Sequence, residues 1–355
     1  MQRSFTIDVL KMIAAQMIVW HHIAAYGLIA ETLKLQWPVL MDTVYDQARV
    51  AVQIFLVIAG YLAAQSFSHR PVTNLLTVMT KRYVRLALPF IVAVLWVMLT
   101  VSLTRPFIHA DWLPEAPQAL QFFAHVFFLS ELLDFPALSS GVWYVAIDFQ
   151  LYALLALMVF FFRPMKFWHS AFAQRTLSVV VAAMCLVSLY WFNRLEAWDD
   201  WAIYFFGSYG LGVLAGWAKR SDSGFDKAIF AGTCVLGALS LFIAFRSRIC
   251  LALLTSLVLY WGAHIQVQWG KLQTSIHRLA NSSYALFLTH FGVIVLFNAL
   301  WTIEHFTHPL MAVCFAFLAW LCSVAIGLLF HERIEMALQQ WRFQPTRFNF
   351  WRATN

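Results

Sequence analysis

The sequence predicts an all-α integral membrane protein, a bundle of about ten transmembrane helices with the N- and C-termini cytoplasmic. Three observations predict it. Of 355 residues, 62% are hydrophobic and only 12% charged, with a mean hydropathy of +0.71. A soluble domain carries about 25% charged residues, and no globular core of this size could hide so much apolar surface from water. Apolar runs of bilayer length, roughly 17–25 residues, recur along the whole chain. Lysine and arginine then gather on one side of the membrane that these runs imply.

The runs are 6–28, 50–67, 86–103, 143–162, 176–192, 202–218, 227–244, 248–264, 282–301 and 310–330. The first carries Asp8, Lys11, His21 and His22 and is followed by no small-residue cleavage pattern. It therefore reads as the first helix of the mature protein and not as a signal peptide. The segment 118–132 is apolar but interrupted by His125 and Glu131, so it reads as a short interfacial or re-entrant helix. It sits in the longest outer loop, 104–142, with Pro106, Pro114, Pro117 and Pro136. Four glycines crowd the sixth run (Gly207, Gly210, Gly212 and Gly216), a pattern that fits either close helix packing or a broken transport helix. From His331 the chain turns amphipathic, with Trp341, Phe343, Phe348 and Trp351 among arginines. Residues 1–335 are thus expected to form a membrane-embedded domain, and 336–355 a cytoplasmic tail on the inner membrane surface. Cys185, Cys234, Cys250, Cys314 and Cys322 all lie in apolar stretches and read as small core residues.

With the N-terminus inside and strict alternation, Lys81, Arg82, Arg85, Arg163, Lys166, Arg175, Lys219 and Arg220 fall on the cytoplasmic side with most other cations. Lys34, Arg49, Arg105, Arg194, Arg246 and Arg248 fall outside. Acids run the other way, with Asp42, Asp111, Glu131, Asp199 and Asp200 outside. The net charge of +7 is therefore a topology signal and does not point to nucleic acid as a partner.

Ionisable side chains inside a span cost about 2.5–3.5 kcal/mol each on insertion scales and mark function by default. They cluster in three runs: Asp8, Lys11, His21 and His22 in the first, Asp148 in the fourth, and His290 in the ninth. Lys11 and His22 are eleven residues apart. At about 100° per residue they share one helix face, roughly 16 Å apart along the axis. Asp8 lies one turn from Lys11 on nearly the same face and can neutralise it, while His21 points about 100° away. Asp8, Lys11 and His22 thus form a polar stripe that must face the bundle interior. Helix locking and packing would use the same groups, and for His21 that reading is preferred. Asp148 suits either an orienting carboxylate or a structural partner, and His290 suits site lining. Arg82 and Arg85 share a face at i,i+3 beside Lys81, where they could grip phosphates or simply anchor the chain. Motifs of soluble enzymes are missing: there is no P-loop, GxSxG, HExxH or CxxC pair. His305 and His308 have no third ligand, so no metal is expected.

These same positions resemble the acyltransferase 3 family of membrane-bound acyltransferases. That family opens with Asp-Gly-Leu-Arg, ten residues, then His, matched by Asp8-Val9-Leu10-Lys11 and His22, with Lys for Arg. Phe55 to Leu62, with Ala59 for Ser, is similar to its Phe-Leu-Ile-Ser-Gly-Tyr-Leu stretch. Arg82, Arg85, Leu86 and Pro89 match Arg-x-x-Arg-Leu-x-Pro. Trp143, Asp148 and Tyr152 match Trp-x-x-x-x-Glu-x-x-x-Tyr, with Asp for Glu. Ser283 to His290, with Phe287 for Tyr, is similar to Ser-Tyr-x-x-Tyr-Leu-x-His, and Ile334-Glu335 to a closing Ile-Glu-x-Pro. The matches run in order from residue 8 to 337.

The resemblance implies an O-acetyltransferase of a bacterial inner membrane. It would move an acyl group, most often acetyl, from cytoplasmic acyl-CoA to a hydroxyl of an extracytoplasmic glycan or lipid-linked sugar, without a metal. Lys81, Arg82 and Arg85 would hold the donor's phosphates. His22 would act as general base or as an acyl carrier, Lys11 and Asp8 would line the path, and Asp148 would orient His22 or the acceptor. Trp143, Tyr152 and His290 would line the substrate site. The rival expectation is a proton-coupled transporter or flippase, using the same buried charges as a relay.

Overall fold

A computed structural model describes residues 4–69, 72, 74–162, 171–222, 224–262 and 270–343. Among them there is no strand. In chain order the helices are α1 (Phe5–Ala25), α2 (Gly27–Gln36), α3 (Pro38–Ala48), α4 (Val52–His69), α5 (Leu75–Thr104), α6 (Ala119–Val126), α7 (Trp143–Phe162) and α8 (Ala171–Tyr190). They continue as α9 (Ala202–Arg220), α10 (Gly224–Ile243), α11 (Ser247–Gly262), α12 (Lys271–Asn281), α13 (Ser283–Ile303), α14 (Pro309–Phe330) and α15 (Met336–Phe343).

Each of the ten predicted runs is helical over most of its length, but not each helix is built like a membrane span. Among the described residues, seven helices are long and apolar enough to cross a membrane, or eight if the bent pair α1–α2 is one span. The two remaining runs are α9 and α11. The latter has 16 residues, short for a span. In α9, every residue from Tyr204 to Ala218 is buried, so protein and not lipid surrounds it and it has no need of a wholly apolar surface.

The glycines of α9 explain how it is enclosed. A Cβ on Gly212 would lie 2.0 Å from the Val57 carbonyl oxygen of α4, and one on Gly60 of α4 would lie 2.0 Å from that of Tyr209. The two backbones therefore touch directly, as small residues permit in helix pairs. This close packing accounts for the glycine pattern without a broken helix.

The first run, 6–28, ends early. Tyr26 is extended and Gly27 has φ +84°, a left-handed conformation in which glycine has no steric cost. The chain turns by 84° into α2. Asn298 of α13 fills the break: its Oδ1 accepts from the Ile29 N–H at 3.2 Å, and its Nδ2 donates to the Tyr26 and Ile294 carbonyls at 3.4 and 3.0 Å. The peptide groups freed by the bend thus find partners inside the protein.

Helices α3 and α12 lie in stretches for which no helix was predicted. α3 leads into α4 through a single 3₁₀ turn, so that Pro38–Phe67 is one long apolar helix. α12 is strongly amphipathic and packs against α1. The predicted short helix at 118–132 is α6 followed by a 3₁₀ turn at Glu131–Leu133. A π-helical turn at His331–Glu335 joins α14 to α15 across the expected domain boundary. The rest of the expected tail, with Phe348 and Trp351, lies outside the described residues, as do Arg163 and Lys166. Cys185 and Cys234 are buried as expected, but Cys314 is exposed on α14.

Candidate active site

The polar stripe of α1 faces the protein interior. Asp8 and His22 are buried and Lys11 is half-buried between them. Near the start of α1, Asp8 pairs with His277 of α12 through its Oδ2. His277 carried no signal in the sequence beyond its place in a polar loop.

At the other end of the stripe, His22 is held by a chain of hydroxyls. The Tyr26 hydroxyl lies 2.9 Å from Ser140 Oγ, and Ser140 Oγ lies 2.7 Å from His22 Nδ1. The early end of α1 produces this arrangement, because the extended backbone at Tyr26 places its ring one turn beyond His22. His21 turns away, as expected, and donates to the Tyr45 carbonyl at 2.8 Å.

His290 packs edge-on against His22, with ring centroids 4.9 Å apart at 82°. It is fully buried, and its Nδ1 lies 3.0 Å from the Leu286 carbonyl. A carbonyl only accepts, so Nδ1 carries the proton and Nε2 presents its lone pair. That Nε2 has no hydrogen-bond partner among the described residues.

Ser140 belongs to the loop between α6 and α7, and His125 fixes that loop. His125 Nδ1 donates to the Gln121 carbonyl at 2.9 Å, while its Nε2 accepts from the Leu138 N–H at 3.2 Å. Gln121 adds a bond from Nε2 to the Pro136 carbonyl at 2.8 Å. Burial holds the His125 imidazole below its ordinary pKa, consistent with this neutral, two-ended role.

A second polar cluster lies deeper between α5, α7 and α9. Arg82 Nη2 meets Asp148 Oδ2 at 2.5 Å, and its guanidinium lies over the Tyr152 ring at 4.9 Å from the centroid. Arg82 is therefore engaged inside the protein, whereas its neighbours Lys81 and Arg85 are exposed. Asp148 hydrogen-bonds with Arg82, and the side chain that hydrogen-bonds with His22 is Ser140. Asp148 Oδ1, Arg82 Nε and Tyr209 Oη are buried without a hydrogen-bond partner among the described residues. Buried polar atoms are normally paired, so this is a polar interior and not a simple packing pair.

Trp143, the first residue of α7, stacks on Phe205 at 5.2 Å and 29° and lines a cavity of about 330 Å³. Facing it are His21, Arg49, Arg248, Glu131, Asp199 and Asp200. Burial, followed by the nearby Asp200 carboxylate, pushes Glu131 and Asp199 above the usual carboxylate range. His308 serves α14, accepting from the Leu310 N–H at 3.3 Å.

The structure thus brings His22 against His290 and Arg82 against Asp148, and it adds Tyr26, Ser140, His277 and Asn298, which the sequence did not single out. For Ser140 a faint signal existed, since Ser139-Ser140-Gly141 stands immediately before an apolar helix, where hydroxyls and glycine often gather. No local signal marks Asn298, whose role depends on a bond to Tyr26, 272 residues away in sequence.

No curated protein and no solved structure shows a significant match to the chain. A family model described as an acyltransferase domain matches residues 5–331, from the first turn of α1 to the end of α14. The match takes in both polar clusters, the hydroxyl chain on His22 and the Trp143 cavity. The chain belongs to the acyltransferase 3 family.

Proposed function

We propose that the protein is a multi-pass acyltransferase of a bacterial inner membrane. It moves an acyl group, acetyl in the simplest case, from acyl-CoA on the cytoplasmic side to a hydroxyl of an extracytoplasmic glycan or lipid-linked sugar. The observation that carries this reading is His22, a buried imidazole at one end of the α1 stripe with a hydroxyl already 2.7 Å from its Nδ1. A group so placed can take a proton from an attacking hydroxyl.

The other groups divide between the two substrates. Lys81 and Arg85, exposed at the start of α5, meet the donor's phosphates. Arg82 and Asp148 hold each other and Tyr152 in place beneath the reacting groups. Asp8 and Lys11 line the way between donor and His22. The Trp143 cavity, with carboxylates and guanidiniums on its walls, offers donors and acceptors in the density that sugar hydroxyls require. His290 closes the site behind His22. In a proton-coupled transporter or flippase the same charges would serve as a relay, but family membership and the direct packing of α9 on α4 both favour the enzyme.

The test is acyl transfer by purified protein in liposomes. Isotope-labelled acetyl-CoA is supplied with a bacterial glycan or lipid-linked sugar extract. Label in an alkali-labile ester of the extract supports the proposal. Absence of turnover with every acyl-CoA tried, in folded protein, overturns it and favours the transporter.

A further inference from the structure

We propose that Ser140 receives the acyl group first, with His22 as its base, so that transfer passes through an acyl-serine. The proposal rests on the reading of the chain as an acyltransferase and adds a covalent step to it.

The geometry is that of an activated nucleophile. Ser140 Oγ and His22 Nδ1 are 2.7 Å apart, within the roughly 2.6–3.2 Å expected of a nucleophile and its base. Tyr26 Oη is 2.9 Å from the same oxygen. Both contacts are satisfied when Tyr26 donates to Ser140 and Ser140 donates to His22, which directs the serine proton at the imidazole. The Tyr26 hydroxyl then stabilises the charge that develops on Oγ.

Access fits this role. Leu138, Ser139 and His22 are buried, whereas Ser140 and Gly141 are only half-buried. The serine therefore meets a buried base and is itself only partly buried. Gly141 follows with φ +82°, and a Cβ there would stand 3.6 Å from His22 Cε1 and 3.3 Å from Phe287. A side chain here would be strained by the positive φ and would press on the Phe287 ring. Ser140 also stands just ahead of the N-terminus of α7. The positive end of that helix favours the oxyanion formed when a thioester carbonyl is attacked.

In the first half-reaction, Ser140 Oγ attacks the thioester carbonyl carbon as its proton passes to His22. The C–S bond breaks, and the leaving thiolate takes that proton, giving free CoA and acyl-Ser140. In the second, an acceptor hydroxyl attacks the ester carbonyl and gives its proton to His22. The C–Oγ bond breaks and Ser140 Oγ regains the proton.

The experiment is mass spectrometry of the purified protein after incubation with acetyl-CoA and no acceptor, followed by peptide mapping. The expected result is one acetyl group on the peptide carrying Ser140, discharged when glycan extract is added. Ser140→Ala should lose both the adduct and acyl transfer, by about 100-fold or more. Ser140→Cys should regain an adduct, now a thioester cleaved by neutral hydroxylamine, which a serine that merely orients His22 would not give. An adduct on His22, or full transfer by Ser140→Ala while His22→Ala is inactive, overturns the proposal and leaves the acyltransferase reading intact. No turnover and no adduct in the unaltered protein overturns both.

Discussion

Replacing Gly27 with alanine should unsettle the site from a distance. The residue has φ +84°, and an L side chain in the left-handed region costs roughly 1–2 kcal/mol. The new Cβ would lie 2.2 Å from Asn298 Oδ1 and 2.3 Å from Asn298 Cγ, so the Asn298 side chain must leave. Its bonds to the Ile29 N–H and the Tyr26 carbonyl go with it. Each lost bond costs about 1 kcal/mol, and more where a buried group is left unsatisfied. The sum is roughly 3–6 kcal/mol. For a chain of this size that corresponds to a fall in melting temperature on the order of 5–10 °C. The assay is thermal unfolding in detergent, followed by tryptophan fluorescence, beside Gly232→Ala. Gly232 has no neighbour within 4 Å and should tolerate the change. Asn298→Ala should destabilise alone but add little to Gly27→Ala, because that substitution has already expelled the amide. A Gly27→Ala melt within about 2 °C of the unaltered protein, or full additivity in the double variant, would refute this account of the bend.

Three further predictions concern the interior. Arg82→Gln or Asp148→Asn should destabilise by about 3–5 kcal/mol, since each strands a buried charge. The double variant Arg82→Met with Asp148→Leu should recover much of that stability in the same melt while acyl transfer stays low. Gly212→Ala should push α9 off α4, given a Cβ 2.0 Å from the Val57 oxygen; a cost of at least ~1–3 kcal/mol is expected, and a neutral melt would count against direct backbone contact. His125 gives a pH dependence. Burial lowers its folded pKa from 6.5, so its contribution to stability is complete above the unfolded value and is lost as pH falls below it. Melting temperature should therefore drop more steeply below about pH 6.5 in the unaltered protein than in His125→Gln; parallel profiles would refute the role of neutral His125 in holding the Ser140 loop.

Much of the architecture could be read from the sequence because lipid and protein interiors select strongly for apolar length. The run 143–162 coincides with α7, and 310–330 nearly coincides with α14, since each is a continuous apolar segment. The reading weakened where tertiary structure supplies the environment. α9 is enclosed by other helices, so its glycines and tyrosines fall short of a lipid-facing composition. α12 is polar on one face and looked like a loop. The turn at Gly27 was hidden inside an apolar run, because the group that makes it tolerable is Asn298 on α13.

In the site, helical periodicity correctly aligned Asp8, Lys11 and His22, since all three belong to one helix. Partners across helices were out of reach. Arg82 was read as a phosphate grip or an anchor, and Asp148 as orienting His22 or the acceptor or as a structural partner; that the two meet each other was not legible. Ser140, which does meet His22, comes from a loop whose position is set by His125 and Gln121. A hydroxyl in a loop has no periodicity that would announce it.

Acyl transfer as proposed requires His22 as the proton acceptor. The decisive measurement is the rate of acetyl transfer from acetyl-CoA to glycan extract for His22→Ala beside the unaltered protein at matched thermal stability. Turnover should fall by about 10²–10⁴-fold, the usual worth of a general base, with little change in the donor concentration at half-maximal rate. Equal turnover in the two proteins would contradict it.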